Sequence, residues 1–322
     1  MELFTTAPLW FFESSLPDCF RYHDEMVDVG FRQRSALEYD LAATVGALDR
    51  FLPFDEATVE RLAATVVKAG CRVVPCDIAP LGAPGAAAAG LPSVVVENFT
   101  WGWLYEPLHG AAPELARHGR ELDGWIGRAT AHVQARPVCR RDPASLLVDP
   151  VSRLPRQERD ETRSDLGVAS DEPLVVITLG GYGEALPYLP SLRERPDCRF
   201  LITGADSTRN DRNLILFDND TPLFMPDLMR AADAAVAKLG YGTVAEVWRE
   251  GVPFLGVTRA DFREMPTLEA FARDELGAEV VIPDVFRSGR WVDRLDAMLA
   301  KERRPQAGGG AGQAAEVVRR LM

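Results

Sequence analysis

Short apolar runs closed by proline, glycine or charge alternate along this chain with stretches in which apolar residues recur every three or four positions. The first pattern predicts buried strands and the second amphipathic helices. ELFTTAP reads as a strand ending at Pro8, and LWFFESSL as an aromatic-rich turn or helix. Leu37, Leu41, Val45 and Leu48, then Val59, Leu62 and Val66, predict two helices broken by FLPFD. CRVVPCDIAP follows as a strand with a polar end, GAPGAAAAG as a close-packed helix and LPSVVVENF as the next strand. This is βαβ alternation, the pattern of a mostly parallel sheet covered by helices.

The stretch 136–173 is dense in proline and charge and predicts a crossover, with a helix at ERDETRSDLG. A second alternation starts at Pro173. PLVVITLGGYG, CRFLITG, RNLILFD, ADAAVAKLGYG, VPFLGV and EVVIPD are its strands, with LMRAAD and TVAEVWREG as helices. The predicted fold class is α/β with two Rossmann-like lobes. The boundaries are 1–145 for an N-terminal lobe, 146–172 for the linker, 173–305 for a C-terminal lobe and 306–322 for a joint and last helix. That helix, QAAEVVRRLM, has an apolar stripe suited to docking on either lobe.

Composition narrows the picture little. In 322 residues, 47% apolar and 26% charged is ordinary globular usage. A formal charge of −12 argues against a nucleic-acid track or an anionic membrane patch. Cys19, Cys71, Cys76, Cys139 and Cys198 share no ligand spacing, and His23, His109, His118 and His132 are scattered, so no metal site is expected. Reduced thiols, no basic leader and no apolar run of membrane length predict a cytoplasmic protein without a membrane span.

Chemistry concentrates in two glycine loops. Gly180, Gly181 and Gly183 follow the strand LVVITL, where small residues let backbone N–H groups approach a phosphate; a tight strand-to-helix corner needs the same residues. The spacing fits neither the dinucleotide fingerprint nor the lysine P-loop. In the second, ADAAVAK-LGYG-TVAEVWREG, Gly240 and Gly242 open the mouth of a helix with Thr243 at or near its N-cap. Thr243 and Glu246 also fit a capping box, in which the glutamate serves only the backbone. Arg249, Glu250, Arg319 and Arg320 read as solvated helix faces.

KLGYGTVAEVWREGVPFLGVTRADF, preceded by TPLFMPDLMRAAD, resembles the donor-nucleotide lobe of GT-B glycosyltransferases. Within them it resembles specifically the group related to the MurG-like (family 28) transferases and to the glycosyltransferase-like half of L-arabinokinase. FTTAPLWFF and CDIAPLGAPGAAAAGLPSVVVENFTWGW resemble the same group, so the likeness runs over residues 2–300. It implies transfer of a sugar from a nucleotide-diphosphate sugar, such as a UDP-sugar, to a hydroxyl acceptor that is a sugar, lipid or small molecule, with no tightly bound cofactor and no required metal. A homodimer is compatible with it. Gly240, Tyr241, Gly242 and Thr243 would face the diphosphate, with Gly180, Gly181 and Gly183 opposite. Glu246 would accept from the ribose hydroxyls, Phe224 to Asp227, including Met225, would lie near the base, and Asp261 with Phe262 near the donor sugar.

The resemblance also implies a glycine-histidine loop after the first strand, supplying the general base and part of the diphosphate contact. This sequence lacks such a run, and the N-terminal lobe is expected to lack its first β-α unit. Between Trp101 and Trp103 stands Gly102, where relatives usually carry an acid. The remaining candidates for proton transfer are Asp77, which alternatively holds a turn N–H ahead of Pro80, and His109, which alternatively caps a helix start. Trp101, Trp103 and Tyr105 would either stack on an acceptor or pin a loop to the core. The rival to a transferase is a non-catalytic nucleotide-sugar-binding or regulatory protein of the same architecture. An epimerase of that architecture ranks below both.

Overall fold

The structure, a computed structural model, describes residues 1–16, 19–180, 186–221 and 223–322. The chain forms two compact units. Met1–Arg32, Tyr39–Val151 and Gly310–Met322 make the first; Gln33–Glu38 and Ser152–Gly309 make the second.

In the first unit, β1 (Glu2–Thr5) pairs in parallel with β2 (Arg21–Asp24), in register Glu2↔Arg21. A second, all-parallel sheet has the order β3 (Val74–Asp77), β4 (Ser93–Glu97), β5 (Ala131–Ala135) and β6 (Leu146–Val148). The two helices predicted on either side of FLPFD are Leu41–Phe51 and Glu56–Lys68. Asp40 caps the first by accepting from the Ala43 amide at 2.9 Å, and Asp55 caps the second by accepting from Thr58 at 2.9 Å. Leu48, Leu52, Trp101, Leu104, Tyr105, Leu115 and Leu122 form the core beneath them.

Helix Trp101–Tyr105 crosses helix Glu114–Ile126 at a pair of glycines. A Cβ on Gly119 would lie 2.9 Å from the Gly102 Cα; one on Gly102 would lie 2.2 Å from Asp123 Oδ2 and 2.8 Å from the Gly119 carbonyl. Asp123 fills the space a side chain would need, accepting from the Gly102 amide at 2.9 Å and the Thr100 hydroxyl at 3.0 Å. The last helix, Gly310–Leu321, docks on the first unit. Ala314, Val317, Val318 and Leu321 cover Val94, Val133 and Val148 of the sheet, and Gln313 brackets Asp149 with bonds of 2.8 and 2.9 Å.

The second unit is a seven-stranded sheet in the order β13-β12-β11-β7-β8-β10-β9. The strands are β7 (Leu174–Thr178), β8 (Arg199–Ala205), β9 (Arg209–Asp211), β10 (Leu214–Asp218), β11 (Ala234–Lys238), β12 (Phe254–Val257) and β13 (Glu279–Val281). All pairings are parallel except β9 with β10. Every residue of β7 and β12 is buried, the continuous apolar reading of strands covered on both faces. The hairpin strand β9 is unpredicted because Arg209, Asn210 and Asp211 supply no apolar alternation. Ala36 and Leu37, from a segment early in the chain, are buried in this unit's core with Val175, Phe200 and Trp291. None of the five cysteines is joined in a disulfide.

Two stability measurements check this packing. Gly102→Ala drives a methyl into the Asp123 carboxylate and should lower stability by about 1–3 kcal/mol in denaturant unfolding; an unchanged midpoint would rule out the tight crossing. Removing residues 310–322 uncovers the valines of β4, β5 and β6. At about 1.5–3 kcal/mol per buried side chain, a loss of about 3 kcal/mol or more and new binding of a hydrophobic dye are expected.

Candidate functional site

Strand order in the second unit reverses at its centre. From β7 the chain moves outward to β8 and β10, then returns to place β11 on the other side of β7. At such a switch the loops leaving the two strands diverge, and open α/β sheets bind ligands at that place. Both glycine loops singled out in the sequence leave these two strands. Gly180 has φ +73°, a left-handed conformation that glycine adopts without strain. Gly181 and Gly183 lie outside the described residues.

Gly240 is the N-cap of helix Tyr241–Glu250, with no side-chain cap, so Thr243 is its third residue. This corrects the capping-box reading of Thr243 and Glu246: the glutamate stands too far along the helix to reach the cap. The amides of the first turn, including those of Gly242 and Thr243, are left without intrahelical acceptors at the positive end of the dipole.

Between the two mouths lies Lys238. A Cβ on Gly180 would meet its Cε at 3.1 Å and Nζ at 3.4 Å, and one on Gly240 would meet the same Cε at 4.0 Å. Burial, reinforced by the charge of Arg259, pulls the Lys238 ammonium down to about 8. Arg259 is itself buried, donates to Glu264 at 2.9 Å and stacks 3.8 Å over Phe262. Tyr241, at the helix mouth, acts electrostatically on Arg259. Sequence reading passed over Lys238 and Arg259, although Lys238 opens the quoted KLGYG block. Asp261, two residues beyond Arg259, is exposed at a turn.

Glu246 is 6% exposed and accepts from Arg153 Nε at 3.2 Å and Nη2 at 2.9 Å. Burial raises its pKa and the Arg153 charge and hydrogen bonds oppose that. Phe224, buried at the start of helix Met225–Ala231, lies beneath the guanidinium groups of Arg153 at 5.1 Å and Arg156 at 3.8 Å. Buried Asp227 accepts from the amides of Arg156 at 2.6 Å and Gln157 at 3.1 Å. Met225 is partly buried beside them. Glu250 is not a solvated face: it is 6% exposed and bound by Arg230 at 3.2 Å. Arg249 donates to the Gly308 carbonyl.

In the first unit, Asp77 ends β3 and no hydrogen bond reaches its side chain among the described residues, so the turn-holding alternative fails. Ile78, next in the chain, has φ +48°, a conformation that costs a β-branched residue about 1–3 kcal/mol and that recurs at functional sites. Asp77 is solvent-reached as a residue, yet its carboxyl is walled closely enough that lost hydration raises its pKa. Asp28, which the sequence reading missed, lies near enough for the two charges to couple. Burial pushes Asp28 up to about 7 against the opposing hydrogen bonds of the Val29 and Gly30 amides, and the Asp77 charge adds to the rise. Nothing periodic marked Asp28; its loop is held by Tyr105, whose hydroxyl donates to the Gly30 carbonyl at 2.9 Å, and by Trp101 packed against Gly30.

Tyr105 is wholly buried and Trp101 8% exposed, ring stacked on ring at 5.8 Å, so both are core residues rather than an acceptor platform. Trp103 is half-buried at the edge of the same cluster. His109 follows the turn Glu106–Leu108 with Nε2 buried and unpartnered, and among the described residues nothing joins it to Asp77 or Asp28. Gly102 carries no acid, but Asp123 occupies the volume of its absent side chain. No group of three or more metal-ligating side chains occurs among the described residues, nor does a helix long and apolar enough to cross a membrane.

No family model matches the chain. L-arabinokinase from Arabidopsis thaliana is 27% identical over 316 residues, covering 93% of this chain, which spans 29% of the length of that relative. Among solved structures, a UDP-glucosyltransferase from Polygonum tinctorium, described as capable of glucosylating indoxyl, is similar with a TM-score of 0.59 at 14% identity, over 98% of this chain and 90% of its own. A protein from O. sativa in complex with UDP and deoxynivalenol-3-glucoside has a TM-score of 0.58 at 15% identity, covering 100% and 94%. The glycosyltransferase VinC in complex with DTDP has 0.54 at 16%, covering 100% and 95%. With two parallel α/β units, a strand-order reversal and these structural neighbours, the chain has the fold of the GT-B glycosyltransferases.

Proposed function

We propose that the protein transfers a sugar from a nucleotide-diphosphate sugar to a hydroxyl acceptor. The observation that carries this reading is the meeting of Gly180, Lys238 and the mouth of helix Tyr241–Glu250 at the strand-order reversal. Backbone donors, a helix dipole and a cation there suit a diphosphate better than any neutral ligand. Gly240, Tyr241, Gly242 and Thr243 are assigned to the diphosphate, Glu246 to the ribose hydroxyls, Phe224 and Met225 to the base, and Asp261 to the sugar.

In the transfer, the bond from the sugar's anomeric carbon to the diphosphate oxygen breaks and a new C–O bond forms to the acceptor. Negative charge grows on the departing diphosphate, where Lys238 and the first-turn amides stabilise it. The acceptor hydroxyl loses its proton to a general base. We assign that role to Asp28, whose burial raises it to about 7, a range in which a carboxylate is both substantially ionised and basic enough to accept, with Asp77, raised in the same direction, as the second candidate.

Calorimetric titration with uridine, guanosine and thymidine diphosphates tests the donor half. At least one should bind, more tightly at pH 7 than at pH 9, because Lys238 loses its charge above about 8. Lys238→Met should weaken binding about tenfold or more and flatten that pH dependence. No binding to any of the three by a folded protein would end the assignment. For the acceptor half, nucleoside diphosphate release from the donor should accelerate as pH rises through about 7, where Asp28 ionises. Asp28→Asn should slow it by about 10²–10⁴; an unaltered rate and profile would remove Asp28 from the reaction, and donor binding without any turnover would favour a binding protein of this fold.

A further inference from the structure

Three of the residues assigned to the nucleoside share a feature the sequence did not signal. Phe224, Asp227 and Glu246 are all engaged by one irregular segment, residues 153–157, which precedes helix Arg159–Asp165. Arg156 and Gln157 donate their amides to Asp227 Oδ1, and the Arg156 guanidinium covers the Phe224 ring. Arg153 reaches Glu246 through Nε and Nη2, and both bonds fall on Oε1. The other oxygen, Oε2, takes no hydrogen bond among the described residues. A fork of two N–H groups commonly grips a carboxylate through both oxygens; here one oxygen is occupied and one is kept.

We infer that Arg153 is a positioning residue of the donor site, fixing the Glu246 carboxylate through Oε1 so that Oε2 accepts from a ribose hydroxyl. The inference rests on the reading of Glu246 as the ribose acceptor. Its physical basis is the cost of burial. A carboxylate 6% exposed favours its neutral form unless a cation offsets the lost hydration, and a neutral, untethered carboxyl is a weaker acceptor free to rotate. Arg153 supplies both the charge and the orientation from a segment outside the glycine-loop block. A purely structural pair would instead fasten residues 153–157 to the unit and have no bearing on which ligand binds.

The measurement that separates these roles is ribose discrimination. The wild type, Arg153→Met, Arg153→Lys, Arg153→Gln and Glu246→Gln are titrated with uridine, guanosine and thymidine diphosphates and with the 2′,3′-dideoxy counterpart of each, and thermal melting is recorded in parallel. The wild type should prefer the hydroxyl-bearing form by about 10- to 100-fold, the range for a hydrogen bond to a charged group. Glu246→Gln and Arg153→Met should both reduce that preference to within about threefold, while Arg153→Lys, which keeps the charge but not the fork, should fall between. If one Arg153 variant fails to fold, the others carry the comparison. Full discrimination retained in the Arg153 variants but lost in Glu246→Gln would overturn the inference and leave the ribose reading standing. A wild type that ignores the hydroxyls, or binds none of the six, would overturn both.

Discussion

The reversal of strand order between β7 and β11 is the constraint on which the second unit's chemistry depends. Strands that continue outward in one direction send their helices to one face; a return past the starting strand sends the next helix to the other. The two loops must then part, and backbone donors at their ends find no partner in the sheet. Gly180 bends left-handed there, Gly240 starts its helix without a side-chain cap, and the stem of Lys238 is packed between them. A side chain in place of Gly180 would press on that lysine as well as strain the backbone, which is a stronger reason for a small residue there than a corner alone.

The first unit handles charge differently. Its carboxylates at and beside the ends of β3 and β4 are raised by lost hydration rather than lowered by partners: Asp28 and Glu97 both to about 7, Asp77 in the same direction. Glu97 keeps one hydrogen bond of 2.8 Å from Gln134 on the neighbouring strand. Asp28 and Glu97 therefore exchange protons near neutral pH. The strained Ile78 backbone is held in place by its amide bond to Val96 at 2.9 Å and by partial burial of its side chain.

Periodicity in the sequence was enough for the strands and helices because their burial is regular. The runs of β7 and β11 and the capped helices after Asp40 and Asp55 all stand where apolar spacing placed them. Side chains that act through distant partners were illegible. Glu246 looked like one half of a local capping box, and only the fold brings Arg153 to it across 93 positions. Asp28 sits in a loop with no apolar rhythm, and its altered acidity comes from burial, reinforced by the Asp77 charge, that no spacing encodes. The aromatic triplet at 101–105 looked equally suited to ligand or core until burial assigned Trp101 and Tyr105 to the core.

The division of the chain into units has a consequence for its synthesis. The first unit is discontinuous: residues 310–322 complete it, after the whole of 152–309 has been spent on the second. While a ribosome makes those intervening residues, the sheet face formed by Val94, Val133 and Val148 has no helix over it. The second unit, by contrast, needs from early sequence only the short segment 33–38, already made. The later-encoded unit can therefore finish first, and the earlier one waits with an apolar face open, a state in which nascent chains depend on chaperones.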